Sequence, residues 1–272
     1  MSFGHFKIYN ESCFETFEKL KNRRQVDLVI TSPPYNTNRK AGKTRNLLTV
    51  SNPNGYYDYL RYDTQQDSMT QDEYCDFLIA VFENLDEIVS DDGVILLNLS
   101  YGNENPDGMW LAVAAIIENT NWTVADCISW QKSNALPNNN SKNRLTRICE
   151  FVFLFCRDFE LSSFHANKEI VNYRKSGQPI YSGGVNLIKA KNNDGDKCPY
   201  NKAVFSTDLV GKLLDLYAPD GATVYDPFIG TGTTAVASVS KGYNCIGSEI
   251  SENQCRWALE RVRKAVNGKA EI

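Results

Sequence analysis

Residues 26–35 read Val-Asp-Leu-Val-Ile-Thr-Ser-Pro-Pro-Tyr, and this stretch decides how the chain is interpreted. The apolar, β-branched run Val26–Ile30 predicts a buried strand that ends at two prolines. Because proline has a fixed φ and no backbone N–H, this turn is stiff and presents bare carbonyl groups. Ser32 adds a hydroxyl and Tyr35 an aromatic face at the same strand end. Ligands of open α/β sheets bind at the carboxyl ends of strands, so the turn predicts a chemical site.

Composition and charge limit the classes of protein that fit the sequence. The 272 residues, 42% of them hydrophobic, suffice for one large α/β domain with an insertion. A formal net charge of −4 gives no global positive field, so contact with DNA or RNA requires a local basic patch. The eight cysteines form no CxxC pair and only two histidines accompany them, so no metal or c-type haem site is expected. Thiols scattered in apolar patterns, without a long apolar stretch, predict a soluble protein of the reducing cytoplasm.

Regions typical of an α/β core alternate with regions of polar composition. Apolar patterns predict strands at 6–8, 26–30, 94–99, 123–130, 151–156, 223–225 and 245–248. They predict helices at 15–20, 70–89, 110–118, 207–217, 234–241 and from about 252. The polar stretch 36–68 predicts a long mobile loop, since a structureless connection of this length is usually functional or disordered. The polar segments 131–147 and 158–199 flank the core strand predicted at 151–156 and are expected to lie outside the sheet.

A glycine-rich turn lies near the C-terminal end of the sequence, where Asp-Pro-Phe-Ile-Gly-Thr-Gly-Thr-Thr-Ala spans residues 226–235. Gly230, Gly232 and Ala235 fit the dinucleotide-binding pattern G-x-G-x-x-G/A. Glu249 ends the next predicted strand, where an acid that binds ribose is expected. Glycines let a ligand approach the backbone, and the helix that follows supplies free N–H groups.

The two turns are expected to meet in one site. Too few residues follow Ala235 to complete a nucleotide-binding sheet, so the missing strands must come from the N-terminal half. Strand Val26–Ile30 is therefore predicted to share a sheet with Thr223–Tyr225, which brings both turns to one sheet edge. A nicotinamide-binding interpretation explains the glycines but leaves the Ser-Pro-Pro-Tyr turn without a role.

Ser32-Pro33-Pro34-Tyr35 and Phe228-Ile229-Gly230-Thr231-Gly232 together resemble the [DNS]-P-P-[YFW] and F-x-G-x-G motifs of DNA amino-methyltransferases. Their order, with the catalytic motif first, resembles the permuted β class of that family. Residues 130–134 with Pro137, Arg144 and Glu150 resemble the segment that leads into target recognition. Residues 201–205 resemble the element that closes over the methionine end of the cofactor.

The resemblance implies a circularly permuted, Rossmann-like methyltransferase sheet with an inserted target-recognition region. Residues 1–130 would form the catalytic part, 131–200 the target-recognition region and 201–272 the cofactor-binding part of one domain. It implies S-adenosylmethionine as the cofactor, double-stranded DNA as the substrate and a location at the nucleoid. A restriction endonuclease and a second copy of the chain are the further candidate partners.

The resemblance also implies roles for individual residues. The catalytic residues would be Ser32, Pro33, Pro34 and Tyr35. The cofactor would contact Asp226, Pro227, Phe228, Gly230, Gly232, Thr233, Thr234, Glu249, Ala203 and Phe205. DNA would contact Arg39, Lys40, Lys43, Arg45, Lys132, Asn134, Arg144 and Arg147, for each of which a solvated surface position is the alternative. Asp226 would serve either the cofactor or the turn. The adenine ring would contact Glu11, Ser12 or neither of them.

The implied chemistry is methyl transfer to an exocyclic amine. Such an amine is a poor nucleophile because its lone pair is delocalised into the ring. The Ser32 hydroxyl and the Pro33 carbonyl would draw the nitrogen toward tetrahedral geometry, while Tyr35 stacks on a base flipped out of the duplex. In the resembling family Ser-Pro-Pro goes more often with cytosine, so cytosine N4 is the expected target and adenine N6 the alternative. An RNA or protein-amide methyltransferase and a non-catalytic nucleotide-binding module are the remaining alternatives.

Overall fold

The computed structural model of the protein describes residues 3–36, 69–102, 105–135, 142–195, 198–199, 201 and 204–270. Within these ranges the strands are β1 (Phe6–Tyr9), β2 (Val26–Thr31), β3 (Val89–Leu99), β4 (Trp122–Lys132), β5 (Cys149–Arg157), β6 (Ile170–Tyr173), β7 (Pro179–Tyr181), β8 (Leu187–Ala190), β9 (Thr223–Asp226) and β10 (Asn244–Ser248). The α-helices are α1 (Cys13–Leu20), α2 (Gln71–Ile88), α3 (Gly108–Asn119), α4 (Thr207–Tyr217), α5 (Thr233–Ser240) and α6 (Glu252–Ala270). The predicted elements agree within a few residues, except that β3 already begins at Val89 and that the sequence pattern does not predict β6, β7 or β8.

The central sheet has eight strands in the order β1-β10-β9-β2-β3-β5-β4-β8. Strands β1, β10, β9, β2 and β3 are parallel, and β5 runs antiparallel between β3 and β4. The expected partnership of the two chain halves is confirmed, because Leu28 of β2 pairs with Val224 of β9. The sheet therefore needs both ends of the sequence.

The strand order reverses between β9 and β2. From β9 the chain passes through α5 to β10 on one side, whereas from β2 it passes through α2 to β3 on the other. Such a switch point opens a crevice at the carboxyl ends of the two strands, which is where open α/β sheets bind ligands. The Ser-Pro-Pro-Tyr turn follows β2 and the glycine turn follows β9, so both line this crevice.

Both faces of the sheet are buried, which explains why residues 28–30 of β2 are all apolar. Val29 belongs to one buried layer together with Phe17 of α1 and Leu78 of α2. Leu28 and Ile30 belong to the opposite layer, which is covered by α4. A strand covered on both faces leaves little room for polar residues in its alternation. No helix in the described ranges has the length and apolar character of a membrane span.

The expectation that residues 158–199 lie outside the sheet is wrong for β8. Strand β8 extends the sheet beside β4, with Ser129 paired to Leu187 and Lys132 paired to Ala190. Only Ile188 and Ala190 of this strand are buried. Two buried positions inside a polar segment give too short a pattern to predict a strand from the sequence. Strands β6 and β7 form a separate antiparallel hairpin.

Candidate active site

A buried hydrogen bond joins the two turns. Thr31, the last residue of β2, donates from Oγ1 to Asp226 Oδ1 over 2.7 Å. The other carboxylate oxygen of Asp226 accepts from Thr234 Oγ1 over 2.7 Å, and the Phe228 N–H donates to Oδ1 over 3.0 Å. Asp226 is only 1% exposed. The Asp226 carboxylate therefore ties the end of β2 to the turn after β9 and to the start of α5.

Burial also changes the chemistry of Asp226. It raises the pKa of this carboxyl from 3.8 to about 6, although the hydrogen bonds from Thr234, Thr31 and the Phe228 N–H oppose the shift. All three of these donors belong to the turn or to the neighbouring strand end. This geometry favours the turn among the two roles expected for Asp226, while direct contact with the cofactor stays a prediction.

The two glycines of the turn share a left-handed backbone but differ in their surroundings. Gly230 and Gly232 have φ angles of 51° and 83°, in the left-handed region that favours glycine. A Cβ on Gly230 would meet no atom closer than 3.5 Å, whereas one on Gly232 would lie 2.7 Å from the Cβ of Ala258. Gly232 thus allows α6 to pack closely, whereas a Cβ on Gly230 would make only ordinary van der Waals contacts. Gly232 is also the N-cap of α5 and gives that helix no side-chain cap.

Glu249 follows β10 beside this turn. Its two carboxylate oxygens accept from the Gly230 N–H over 3.1 Å and from the Ser251 N–H over 2.8 Å. Carboxylate oxygens are acceptors of the kind that the hydroxyls of a ribose require. The left-handed backbone of the turn, the start of α5 without a side-chain cap and this half-buried acid together fit a nucleoside cofactor.

The other predicted cofactor residues within the described ranges make contacts inside the protein. Pro227 is buried, and the ring of Phe228 lies 5.6 Å from that of Phe77 in α2. Thr233 Oγ1 accepts from Arg261 over 3.0 Å. Phe205 is half-buried against the layer under α4. Ala203 lies outside the described residues.

The Ser-Pro-Pro-Tyr turn belongs to a group of five residues that we term the tyrosine network: Ser32, Tyr35, Asn98, Lys132 and Glu150. Ser32 Oγ donates to the Tyr35 hydroxyl over 2.9 Å, and that hydroxyl donates to Glu150 Oε2 over 3.1 Å. Asn98 Nδ2 donates to both the Tyr35 hydroxyl and Glu150 Oε2. Lys132 forms an ion pair with Glu150 Oε1. The turn is thereby fixed to β3, β4 and β5.

Burial and charge keep Tyr35 protonated. Desolvation, followed by the nearby Glu150 carboxylate, raises the pKa of the Tyr35 hydroxyl well above its ordinary value of 10. The ring itself is half-buried and packs against the apolar layer that contains Phe77. Pro33 is buried, whereas Ser32 and Pro34 are half-buried. The turn thus presents a fixed hydroxyl, a carbonyl and an aromatic ring at the crevice.

Several residues predicted to contact DNA have partners inside the protein. Lys132 belongs to the tyrosine network, and its side chain is 19% exposed. Asn134 Oδ1 accepts from the Asn192 N–H over 2.6 Å. The Arg147 guanidinium donates to the Tyr101 carbonyl and lies 4.8 Å from the centre of its ring. Arg144 is exposed. The predicted basic residues Arg39, Lys40, Lys43 and Arg45 lie outside the described residues.

The candidates for the adenine contact both serve the first helix. Ser12 caps α1 in a capping box with Glu15. Glu11 accepts from Thr16 Oγ1 over 2.8 Å and forms an ion pair with Lys19. These contacts account for the polar side chains at the start of α1 without a ligand.

Sequence reasoning missed the role of Asn98 and assigned no role to Glu150. Asn98 is the one polar side chain in the apolar run 94–99, which is a signal that a position near a strand end has a polar task. Its Oδ1 is buried and has no hydrogen-bond partner among the described residues. Glu150 is the second residue of β5, which begins at the same sheet edge as the turn because β5 runs antiparallel to β3.

A model of the N6_N4_Mtase family, described as DNA methylase, matches residues 26–260 of the chain. The chain belongs to this family. The resemblance and the α/β methyltransferase fold expected from the sequence are confirmed. The protein is a DNA methyltransferase of the N4/N6 type, and enzymes of this family depend on S-adenosylmethionine.

Known proteins are similar to the methyltransferase in sequence or in fold, each at low sequence identity. The type II methyltransferase M.XycI of Xanthomonas campestris pv. cyanopsidis is 23% identical over 273 residues, which cover 88% of this chain and 81% of that protein. A structure titled PvuII DNA methyltransferase (cytosine-N4-specific) matches with a TM-score of 0.65 and 16% identity, over 98% of this chain and 94% of that one. The structure of M1.HpyAVI in complex with SAM matches with a TM-score of 0.60 and 19% identity, over 94% and 98%.

Proposed function

We propose that this methyltransferase transfers a methyl group from S-adenosylmethionine to N4 of cytosine at specific sites in double-stranded DNA. The observation that carries the proposal is the buried hydrogen bond from Thr31 to Asp226, which fixes the Ser-Pro-Pro-Tyr turn beside the glycine turn. A group that binds the target amine and a site suited to a nucleoside cofactor thereby share one crevice.

The cofactor would lie along the turn after β9. The first turn of α5 offers backbone N–H groups, and Glu249 offers a carboxylate for the ribose hydroxyls. The predicted contacts of Phe205, Ala203, Thr233 and Thr234 belong to the same proposal. When bound, the cofactor supplies an electrophilic methyl group on a sulfonium.

The Ser-Pro-Pro-Tyr turn would prepare the amine for reaction. Ser32 Oγ and the Pro33 carbonyl accept the two hydrogens of the amine, which turns the nitrogen lone pair out of the plane of the base. Positive charge develops on that nitrogen during transfer, so acceptors aimed at its hydrogens stabilise the transition state more than the ground state. The Tyr35 ring stacks on the flipped base, and its hydrogen-bonded hydroxyl holds the ring in place before the base arrives.

The choice of cytosine rests on Ser32. In the resembling family a serine at this position goes more often with cytosine and an aspartate with adenine. A neighbour in fold, the PvuII methyltransferase, is titled cytosine-N4-specific, which agrees with this choice. Methylation of adenine N6 is the second candidate because the two amines present the same pair of hydrogens.

The surface that holds DNA must be local, because the chain carries a net charge of −4. The exposed Arg144 lies in the segment between β4 and β5, which meets the crevice at the same sheet edge as Glu150. We assign phosphate or groove contacts to Arg144 and to Arg39, Lys40, Lys43 and Arg45 of the segment after the catalytic turn. For Lys132 we propose a role inside the site instead, which its ion pair with Glu150 supports.

The test is to express the methyltransferase in cells that lack DNA methylation, digest their DNA and identify methylated nucleosides by mass spectrometry. N4-methylcytosine at one sequence is the expected product, and sequencing of modified bases gives that sequence. N6-methyladenine as the sole product would show that the target is adenine N6 and not cytosine N4. Purified protein that binds S-adenosylmethionine but methylates no DNA would overturn the function.

Two variants separate the turn from the cofactor site in the same assay. Ser32→Ala removes one acceptor of the amine, so turnover should fall by about 100-fold, as for other single transition-state contacts. Tyr35→Ala removes the stacking ring and should also lower turnover. The dissociation constant for S-adenosylmethionine should stay unchanged in both variants, whereas Glu249→Ala should weaken it. Unchanged turnover in both turn variants would overturn the assignment of the catalytic turn.

A further inference from the structure

The tyrosine network contains a directed chain of hydrogen bonds. Ser32 Oγ lies 2.9 Å from the Tyr35 hydroxyl, which lies 3.1 Å from Glu150 Oε2. A phenol has one hydrogen and accepts at its lone pairs. Since Glu150 offers only acceptors when ionised, Tyr35 must donate to Glu150 and accept from Ser32. The chain therefore runs in one direction, from the serine to the carboxylate.

Asn98 fixes this direction. Its Nδ2 faces both the Tyr35 hydroxyl and Glu150 Oε2. The opposite rotamer would place the amide oxygen against a carboxylate oxygen, which is repulsive, so the amide nitrogen must point to Glu150. With Asn98 and Ser32 as its two donors, the Tyr35 oxygen has no further acceptor capacity, and its own hydrogen has only Glu150 to go to.

We propose that this chain of hydrogen bonds removes the proton that the target amine loses, with Glu150 as the final acceptor. The proposal rests on the proposed function, because the amine is held at Ser32. It differs from the expected roles of the turn, which concern only the geometry of the amine and the stacking of the base.

The step balances without a further reactant. The new N–CH3 bond forms as the S–CH3 bond of the sulfonium breaks and its electron pair stays on sulfur as a neutral thioether, so the nitrogen becomes positively charged and its N–H becomes acidic. The amine proton moves to Ser32 Oγ, the Ser32 proton moves to the Tyr35 oxygen, and the Tyr35 proton moves to Glu150 Oε2. One N–H bond breaks and one O–H bond forms on the carboxylate, while Ser32 and Tyr35 end neutral, as they began.

The surroundings of Glu150 suit a proton acceptor. Its side chain is 13% exposed, so a proton received there can pass to water. Lys132 from β4 supplies the positive charge that a largely buried carboxylate requires. Among the described residues, the other titratable group hydrogen-bonded to Glu150 is Tyr35, and β3 contributes the neutral Asn98. Because Tyr35 strongly resists ionisation, a concerted shift that keeps it neutral is the favourable course.

The decisive variants are Tyr35→Phe, which keeps the ring but breaks the chain, and Glu150→Gln, which keeps the shape but removes the base. Single-turnover methyl transfer to cognate DNA isolates the chemical step from product release. Both variants should slow this step by about 100-fold or more, the usual contribution of general base catalysis. Dissociation constants for S-adenosylmethionine and DNA should stay unchanged. Glu118→Gln, an exposed carboxylate at the end of α3, is the matched control and should react like wild type.

Two readouts distinguish a proton acceptor from a residue that only positions Tyr35. Because the hydrogen-bond chain ends on a base, the single-turnover rate of wild type should rise with pH, and this rising pH limb should disappear in Glu150→Gln. In Glu150→Ala, formate should restore part of the rate, whereas chloride at the same ionic strength should not. A role limited to positioning would leave the pH limb in place and give no rescue by formate.

The outcomes separate this proposal from the proposed function. If wild type methylates DNA and Tyr35→Phe reacts at the wild-type rate at every pH, the proposed proton transfer is wrong and the proposed function stands. Wild type that methylates no DNA overturns both. If Glu150→Gln loses its fold or its DNA binding, Tyr35→Phe and formate rescue of Glu150→Ala still decide the question.

Discussion

Thr31 and Asp226 lie 195 residues apart in the sequence, and their side chains meet in a buried hydrogen bond of 2.7 Å. The contact joins the end of the strand that carries the catalytic turn to the end of the strand that carries the glycine turn. Both strands lie at the switch point of the sheet. This side-chain pair thus adds to the pairing of β2 with β9 in holding the two halves of the site together.

Thr31→Val should weaken the fold and the site together. Valine keeps the shape but removes the donor, so the buried Asp226 loses one of its three hydrogen bonds. We expect the free energy of unfolding in urea to fall by about 1–3 kcal/mol, the usual range for a buried polar group left unsatisfied. The control is Thr123→Val near the start of β4, away from the switch point, which should cost less. Equal losses in both variants would contradict the role assigned to the pair.

Asp226 should make the stability of the protein depend on pH. Its pKa is raised from 3.8 to about 6 in the folded state, so the folded protein holds this proton more tightly than the unfolded chain. The stability that the bound proton provides is present at low pH and is lost as pH rises through about 6. Relative to Asp226→Asn, wild type should lose about 1.4 kcal/mol of unfolding free energy between about pH 5 and pH 7.5.

Urea unfolding of both proteins across this interval provides the measurement. The difference between their unfolding free energies cancels the titration of every group that the substitution does not touch. A difference that stays constant from acid to neutral pH would show that Asp226 is not titrating there.

The two glycines of the turn should respond differently to alanine. At Gly232, a φ of 83° and a Cβ 2.7 Å from that of Ala258 combine backbone strain with overpacking, so unfolding free energy should fall by more than about 2 kcal/mol. At Gly230, an added Cβ would meet no atom closer than 3.5 Å, so only backbone strain of about 1 kcal/mol is expected. The Gly230→Ala variant should instead bind S-adenosylmethionine more weakly, as measured by calorimetry. Wild-type cofactor affinity in that variant would place the ligand elsewhere.

Local signals in the sequence were sufficient to predict the two turns and the sheet that joins them. Val26–Ile30 is a strong strand pattern because both of its faces are buried, and the glycine turn is a short motif with fixed geometry. Strand β8 escapes prediction because its pairing with β4 depends on tertiary context more than on its own residues. The tyrosine network escapes for a related reason, since Tyr35, Asn98 and Glu150 lie on three different elements.

Arg157 should prove important for stability and unimportant for catalysis. It is 2% exposed, donates to the Asp86 carboxylate over 2.7 Å and to the carbonyl of Val89 over 3.0 Å, and lies 4.6 Å from the centre of the Trp122 ring. Arg157→Met would leave buried acceptors without donors, which typically costs about 3–5 kcal/mol. The midpoint of thermal unfolding should fall sharply, while methyl transfer below that temperature stays near the wild-type rate. Arg157→Lys, which keeps the charge but not the fork of donors, should give an intermediate midpoint.

The affinity for DNA should depend moderately on salt and should lose part of that dependence when Arg144 is replaced. An acidic chain can neutralise phosphates only through local patches, so few counterions are released on binding. If Arg144 contacts a phosphate, Arg144→Ala should weaken binding to cognate and unrelated DNA alike. It should also lower the slope of log K against log salt by about 0.9.

Fluorescence anisotropy with labelled duplexes over a range of salt concentrations measures both quantities. The control is Arg256→Ala on α6, an exposed arginine that pairs with Glu252 and lies outside the segment between β4 and β5. Its slope should match wild type because no phosphate contact is lost. If Arg144→Ala leaves the slope unchanged and lowers the affinity for cognate DNA alone, Arg144 contacts a base edge. A base contact discriminates sequences and releases no counterion.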